Sequence, residues 1–306
     1  MHSKIESLYK FKIQLKVEDR LFVGSGIRVV DNGKCEEHLK AMNTKGKLIP
    51  VIPGSTLKGA VRQRVQHALS TKKAPNPKTL TPNRNRVQSW RHIVLYGTFN
   101  PEESRLRVER IFGSTEQLSH VFFTDATPEG EPELYKWRAV GVHLEPCVGA
   151  REFKACIECV GSQTFNFEMV AKNLPDEDIG LLLLALNINK EQPYQYGGYI
   201  LIGRFKYRKY MGDRRAGEPP KTYKVGWCKA RIKSLKKLVG TTLQDVPREQ
   251  ASNFIRECIS KAEKLGVKFA NPEILLSQTL PEENHMACNS YRRIVSFINS
   301  PEYPWR

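Results

Sequence analysis

No stretch of the chain approaches the roughly 18 apolar residues that a membrane-spanning helix needs, and the opening MHSKIESLYK lacks the apolar run of a secretion signal. A cytoplasmic protein with no membrane partner is expected. Cysteine is sparse: Cys35, Cys147, Cys156, Cys159, Cys228, Cys258 and Cys288 form an odd, scattered set of seven, which argues against a disulfide framework and fits reduced thiols. Cys156 and Cys159 make one CxxC, but no second Cys or His pair stands at zinc spacing. The pair falls inside an alternating apolar stretch, so buried small side chains are expected there, and no metal. The phosphate-loop pattern G-x-x-x-x-G-K-[ST] is missing, which removes that route to nucleotide hydrolysis. The seven histidines and the scattered acids give neither a nucleophile elbow nor a paired-His motif.

Acidic residues are also few, 32 against 49 Lys and Arg, for a net charge of +17. The excess is local. Residues 58 to 110 hold twelve Lys/Arg against three Glu, and residues 204 to 237 hold thirteen against two acids, leaving the remainder slightly acidic. Two concentrated blocks suit phosphate neutralisation and counterion release better than a dispersed solubility surplus does. Both are expected to face one channel sized for a ribose-phosphate chain. Acidic lipid is a weaker competitor, because RFKYRKYMGDRRAG has no amphipathic helical pattern.

FKIQLKV alternates Phe11, Ile13, Leu15 and Val17 with Lys12, Gln14 and Lys16, the period of a half-buried strand. FVGSGIRVV breaks that alternation at Gly24, Ser25 and Gly26, ahead of Arg28, where the backbone bends or meets another chain. A charged excursion runs on to Lys47. Pro53-Gly54-Ser55-Thr56 then opens a helix whose apolar set is Leu57, Val61, Val65, Ala68 and Leu69. The segment from 71 to 109 reads as a basic insertion or long loop. SHVFFTDA reads as a strand. FKACIECV and TFNFEMVAK, joined at Gly161-Ser162, read as a hairpin. Pro175 and three acids start an apolar helix, as the dipole favours, and GGYILIGRFKY reads as the last strand. Strand, helix, hairpin, helix, strand predicts an α+β, ferredoxin-like palm with insertions over residues 1 to 232. Helical patterns over 246 to 265 and 287 to 298 predict a helical appendage over 233 to 306.

A helix N-terminus offers up to four unpaired amides and a partial positive charge to a phosphate. Gly54 and Gly59 admit a close backbone, Ser55 and Thr56 cap the helix or donate to phosphate oxygens, and Lys58 and Arg62 share a flank. Gly197 and Gly198, followed by Arg204, Phe205, Lys206, Tyr207, Arg208, Lys209 and Tyr210, interleave rings with cations as single-stranded nucleic acid requires. One cluster of ionisable groups has a possible catalytic use: Asp31, Glu36, Glu37 and His38, any of which could act as a base toward an RNA 2′-hydroxyl. The same cluster also reads as a plain charged loop.

IPGSTLKGAVR (52 to 62), RIFGS (110 to 114), SHVFFTDA (119 to 126), EPCVGAREFKACIECVGSQTFNFEM (145 to 169), GLLLLAL (180 to 186) and GGYILIGRFK (197 to 206) follow in an order that resembles the RAMP superfamily. The likeness is to backbone subunits of type III and type IV CRISPR effector complexes. It implies an RRM-related palm carrying a β-hairpin thumb, with copies stacked along a guide RNA (crRNA) so that a complementary target strand pairs between thumbs. Other copies of the chain and other effector subunits are the implied partners. Residues around Ser55, Lys58 and Arg62, with the glycines near 24 and 197, then line the guide groove, and Val142 to Arg151 lies toward the thumb. Type III relatives cut target RNA with an Asp ahead of the PGS helix. Here that position falls near His38, with Asp31 earlier and Glu36 and Glu37 as approximate substitutes. Two readings stand: a guide-binding subunit with no cofactor, and an endoribonuclease subunit using Mg²⁺.

Overall fold

Strand β1 (Leu8–Val17) runs through the centre of the molecule and buries Phe11, Ile13, Leu15 and Val17 completely while Lys12 and Lys16 stay exposed. Each such apolar side chain contributes roughly 1.5–3 kcal/mol by leaving water. The computed structural model describes residues 5–25, 36–70, 101–145, 149–203 and 225–269. After β1 come the short strands β2 (Lys40–Met42) and β3 (Leu48–Pro50), which pair only with each other. Helix α1 (Gly54–Ser70), helix α2 (Pro101–Phe112) and strands β4 (Val121–Phe123) and β5 (Thr127–Pro128) follow. Strands β6 (Leu134–Glu145) and β7 (Gly149–Val160) form a separate antiparallel ribbon in register from Leu134↔Val160 to Glu145↔Gly149. Then come β8 (Thr164–Lys172), α3 (Asp176–Ala185), β9 (Tyr199–Leu201), β10 (Trp227–Val239), β11 (Thr242–Asp245) and α4 (Arg248–Glu263).

The main sheet has the order β11-β10-β1-β8-β4, with β5 also on β8 and β9 also on β10, every pair antiparallel. With α1 joining β1 to β4 and α3 joining β8 to β10, the strands β10-β1-β8-β4 make the split βαβ arrangement expected from the sequence. The apolar residues of α1, α3 and α4 share one core with the inward faces of β1, β8 and β10, so the helices cover one face of the sheet.

Several expectations are corrected. The strand that completes the palm is β10, not the segment after Gly197, of which three residues form β9. In WCKARIKSLKKLV, Cys228, Ala230, Ile232 and Leu235 point inward, but the density of lysine hides that period. The boundary placed at 232 therefore divides a strand, and the helix foreseen at 246 to 265 is α4, part of the common core rather than an appendage. Strands β7 and β8 do not pair with each other: β7 turns to β6, and β8 turns to β1. Within the insertion placed at 71 to 109, the last residues belong to α2, whose Val108, Ile111 and Phe112 are buried. Residues 71–100, the helical pattern at 287 to 298, and Phe205 to Tyr210 lie outside the described residues.

Candidate nucleic-acid interface

The first turn of α1 is built against the segment that follows β4. Ile52 and Ala126 exchange backbone hydrogen bonds of 3.0 and 2.8 Å, and Pro53 fixes the entering φ. A Cβ on Gly54 would stand 2.1 Å from the Phe123 carbonyl oxygen, so only glycine fits. The Gly54 amide donates to Asp125 Oδ1 at 2.8 Å, and the Thr56 and Leu57 amides both donate to the Pro53 carbonyl oxygen. The expected row of bare amides is thus mostly occupied. Asp125 supplies the negative charge that the helix dipole favours, and Ser55 N–H is left as the leading amide with no partner among the described residues. Sequence reading found the strand ending in Asp125 but not this cap, because nothing local joins positions 54 and 125.

What α1 presents is a flank. Ser55 and Gly59 are exposed one turn apart, and, the neighbouring backbone of α1 aside, no atom of the described residues lies within 4 Å of the place a Gly59 Cβ would take. Glycine inside a helix costs about 1 kcal/mol relative to alanine, and nothing in the described fold requires it there. Beside these small residues stand Lys58 and Arg62. Lys58 Nζ donates to Ser119 Oγ at 2.8 Å, which fixes the ammonium on the helix flank. Partial burial, and then the Arg62 charge, push its pKa below the ordinary value. An anion beside the pair offsets their mutual repulsion and favours the charged ammonium. Thr56 is half-buried. Farther along, Arg64 is buried with its guanidinium 5.8 Å from the Phe269 ring centre, and Arg107 and Arg110 of α2 grip the buried Asp178 carboxylate at 2.8 and 2.5 Å. Part of the first basic block is therefore spent inside the fold.

The glycines near 24 and 197 also answer to the chain itself. Gly24 forms a bridge with His38, and Gly24 and Ser25 are both half-buried. A Cβ on Gly197 would stand 1.8 Å from the Asn187 carbonyl oxygen, and one on Gly198 2.3 Å from Asn187 Nδ2. Asn187 holds φ at 55° and donates from Nδ2 to the Tyr199 carbonyl oxygen, so the two glycines make room for this turn. Gly26, Arg28, Asp31, Arg204 and Lys206 lie outside the described residues.

His38 is 1% exposed. Its Nδ1 accepts from the Val23 amide at 3.3 Å, its ring meets Phe22 edge to face at 6.3 Å, and its own amide donates to Glu158 Oε2, which pairs with Lys40 at 2.9 Å. Burial lowers the imidazole pKa to about 4. This is a neutral core histidine, not a base open to a substrate. Glu36 is half-buried, its carbonyl accepting from the Glu158 amide. Of the CxxC, Cys159 is buried and its thiol pushed up to about 12 by that burial.

The two basic blocks do not meet in one channel among the described residues. Lys58 and Arg62 sit on a helix covering the inner face of the sheet, whereas Lys229, Arg231, Lys233 and Lys236 alternate with the inward residues of β10 and so stand on the opposite face. A cationic side chain on a strand must follow the pleat, and the inward positions are claimed by the core.

A family model for the RAMP superfamily matches residues 14–208, which takes in β1 from Gln14 through β9 and leaves β10, β11 and α4 beyond it. No curated protein gives a match to the chain.

Proposed function

The chain belongs to the RAMP superfamily, and from that premise we propose that it is a guide-RNA-binding backbone subunit of a CRISPR ribonucleoprotein effector complex. RAMP proteins work in CRISPR complexes with RNA and other subunits. The observation that carries the reading is the α1 flank, where an exposed Ser55 and an exposed, packing-free Gly59 lie beside Lys58 and Arg62. A ribose-phosphate chain can come against helix backbone at Gly59. Ser55 then donates to phosphate oxygens, and the two cations neutralise charge without reading sequence. The β6–β7 ribbon pairs with no strand of the main sheet and serves in this reading as the thumb, with Val142 to Arg151 about its tip. The crRNA would be held with its bases free for a complementary target strand, and further copies and other effector subunits would continue the assembly. With His38 buried, the endoribonuclease alternative rests on Glu36 and Asp31, and Mg²⁺ belongs to that alternative alone.

Fluorescence anisotropy with labelled single-stranded RNAs of unrelated sequence tests the reading. Affinity should fall steeply with salt, and Lys58→Ala with Arg62→Ala should flatten the logarithmic salt slope by about 1.4, near 0.7 for each phosphate no longer neutralised, equally for every sequence. Salt-insensitive binding, or none, would overturn it.

A further inference from the structure

The outer face of the main sheet carries a row of cations that the fold does not neutralise evenly. Across it the strands are in register as rungs: Thr164, Lys16, Lys229 and Tyr199; then Asn166, Gln14 and Arg231; then Glu168, Lys12 and Ser234; then Val170, Lys10, Lys236 and Asp245, with Phe122 beyond Val170. Two of these rungs place lysine directly opposite lysine. Like charges so placed destabilise a sheet. At one, the fold compensates: Lys10 pairs with Glu168 at 2.7 Å and Lys236 with Asp245 at 3.4 Å. At the other it does not. Among the described residues no carboxylate pairs with Lys16 or Lys229, and Lys229 Nζ instead lies 4.3 Å from the Tyr199 ring centre. Lys12, two outward positions along from Lys16, is exposed and likewise has no ion pair among the described residues.

The middle of the face is locked by a polar network. Gln14, 2% exposed, accepts from Arg231 Nε at 2.8 Å and from the Tyr196 hydroxyl at 2.9 Å, and donates to Glu129 Oε2 at 2.7 Å. Glu129 also pairs with Lys233. Among the described residues of this face, Lys12, Lys16 and Lys229 thus stand without a carboxylate partner, as do Lys172 at the end of β8 and Arg231, whose guanidinium is held by Gln14 and the Tyr196 ring.

We propose that this outer face is a second polyanion-binding surface, distinct from the α1 flank, and that its occupant is single-stranded RNA. Outward residues of one strand recur about every 6.8 Å, so Lys12 and Lys16 stand about 14 Å apart along β1 with Lys229 across from Lys16, a span a flexible sugar-phosphate chain can follow. Phe122, 52% exposed on the same face, offers a ring on which a base can stack. Cations without carboxylate partners beside an open aromatic ring favour a nucleic acid over an acidic protein surface. The unrelieved repulsion between Lys16 and Lys229 is removed when phosphate lies between them, so binding recovers free energy that the free protein lacks. The inference rests on the RNA-binding reading above but not on the α1 residues.

Salt-dependent anisotropy on the full chain with a labelled oligouridine tests it. The variant Lys12→Gln/Lys16→Gln/Lys229→Gln should flatten the logarithmic salt slope by about 2, beyond any loss from Lys58→Ala with Arg62→Ala. Lys16→Glu, which replaces repulsion with an ion pair, should raise the melting temperature while weakening RNA binding. If the wild-type chain binds no RNA, both readings fall. If it binds, and the α1 variant weakens it while the triple variant and Lys16→Glu leave affinity and slope unchanged, this inference alone is overturned and the face is left to an acidic protein partner.

Discussion

His38 occupies the position where the family likeness places a catalytic residue, yet its surroundings give it a different task. The ring fills space beside Phe22 and accepts from the Val23 amide, joining the segment around residue 23 to the strand pair that leads into α1. A buried imidazole whose pKa is lowered from 6.5 to about 4 makes stability depend on pH with a definite sign. Between those values the unfolded chain binds a proton that the folded chain refuses. The contribution is present in full above about pH 6.5 and is lost as pH falls toward 4, by up to about 1.4 kcal/mol per pH unit. His67, lowered to about 4 by burial and then by Arg64, acts in the same direction. Urea unfolding at pH 7, 6 and 5 should show stability falling on acidification, and His38→Gln should make the fall shallower by about one proton. An unchanged slope in that variant would mean the imidazole titrates freely in the native state.

Among the elements, the pairing of α3 with α4 shows how a glycine is read only in context. A Cβ on Gly180 would stand 2.0 Å from the Cys258 carbonyl oxygen, so its absence lets the two helices touch backbone to side. Ala251, Ile255, Cys258, Ile259 and Ala262 of α4 are buried in that contact and the sheet beneath it. Asp178 on the same helix takes both Arg107 and Arg110, which ties α2 to α3. Two alanine substitutions should therefore move the melting temperature in opposite directions. Gly180→Ala forces α4 away and should cost on the order of 1–3 kcal/mol, the usual penalty of overpacking. Gly59→Ala adds a methyl into open space on α1 and should gain about 0.5–1 kcal/mol, while RNA affinity falls if the ribose-phosphate chain lies against that backbone. Both glycines sit inside helices in the sequence, and the local pattern does not tell them apart.

At the scale of the whole molecule, β10 and α4, which lie beyond the family match, are structural. Strand β10 pairs with β1 along nine register positions, from Tyr9↔Lys237 to Val17↔Cys228, and α4 closes the core. Ending the chain at residue 232 should strip β1 of its partner from Tyr9 to Lys12 and, with α4 gone, leave the core open, so the truncated protein should lose its cooperative thermal transition, as circular dichroism would show. A sharp unfolding curve for the truncated chain would restore the boundary that the sequence suggested. The alternation of β1, the apolar face of α1, the acidic start of α3 and the two clusters of positive charge were all legible from sequence, because each depends on spacing within a few residues. The tertiary structure alone decided that β10 is the palm's last strand, that Asp125 caps a helix 71 positions away, that Arg231 reaches Gln14 across 217 positions, and that the α1 cations Lys58 and Arg62 and the outward cations of β10 stand on opposite sides of one sheet. Those outcomes depend on which distant segments become neighbours, and local periodicity carries no record of that choice.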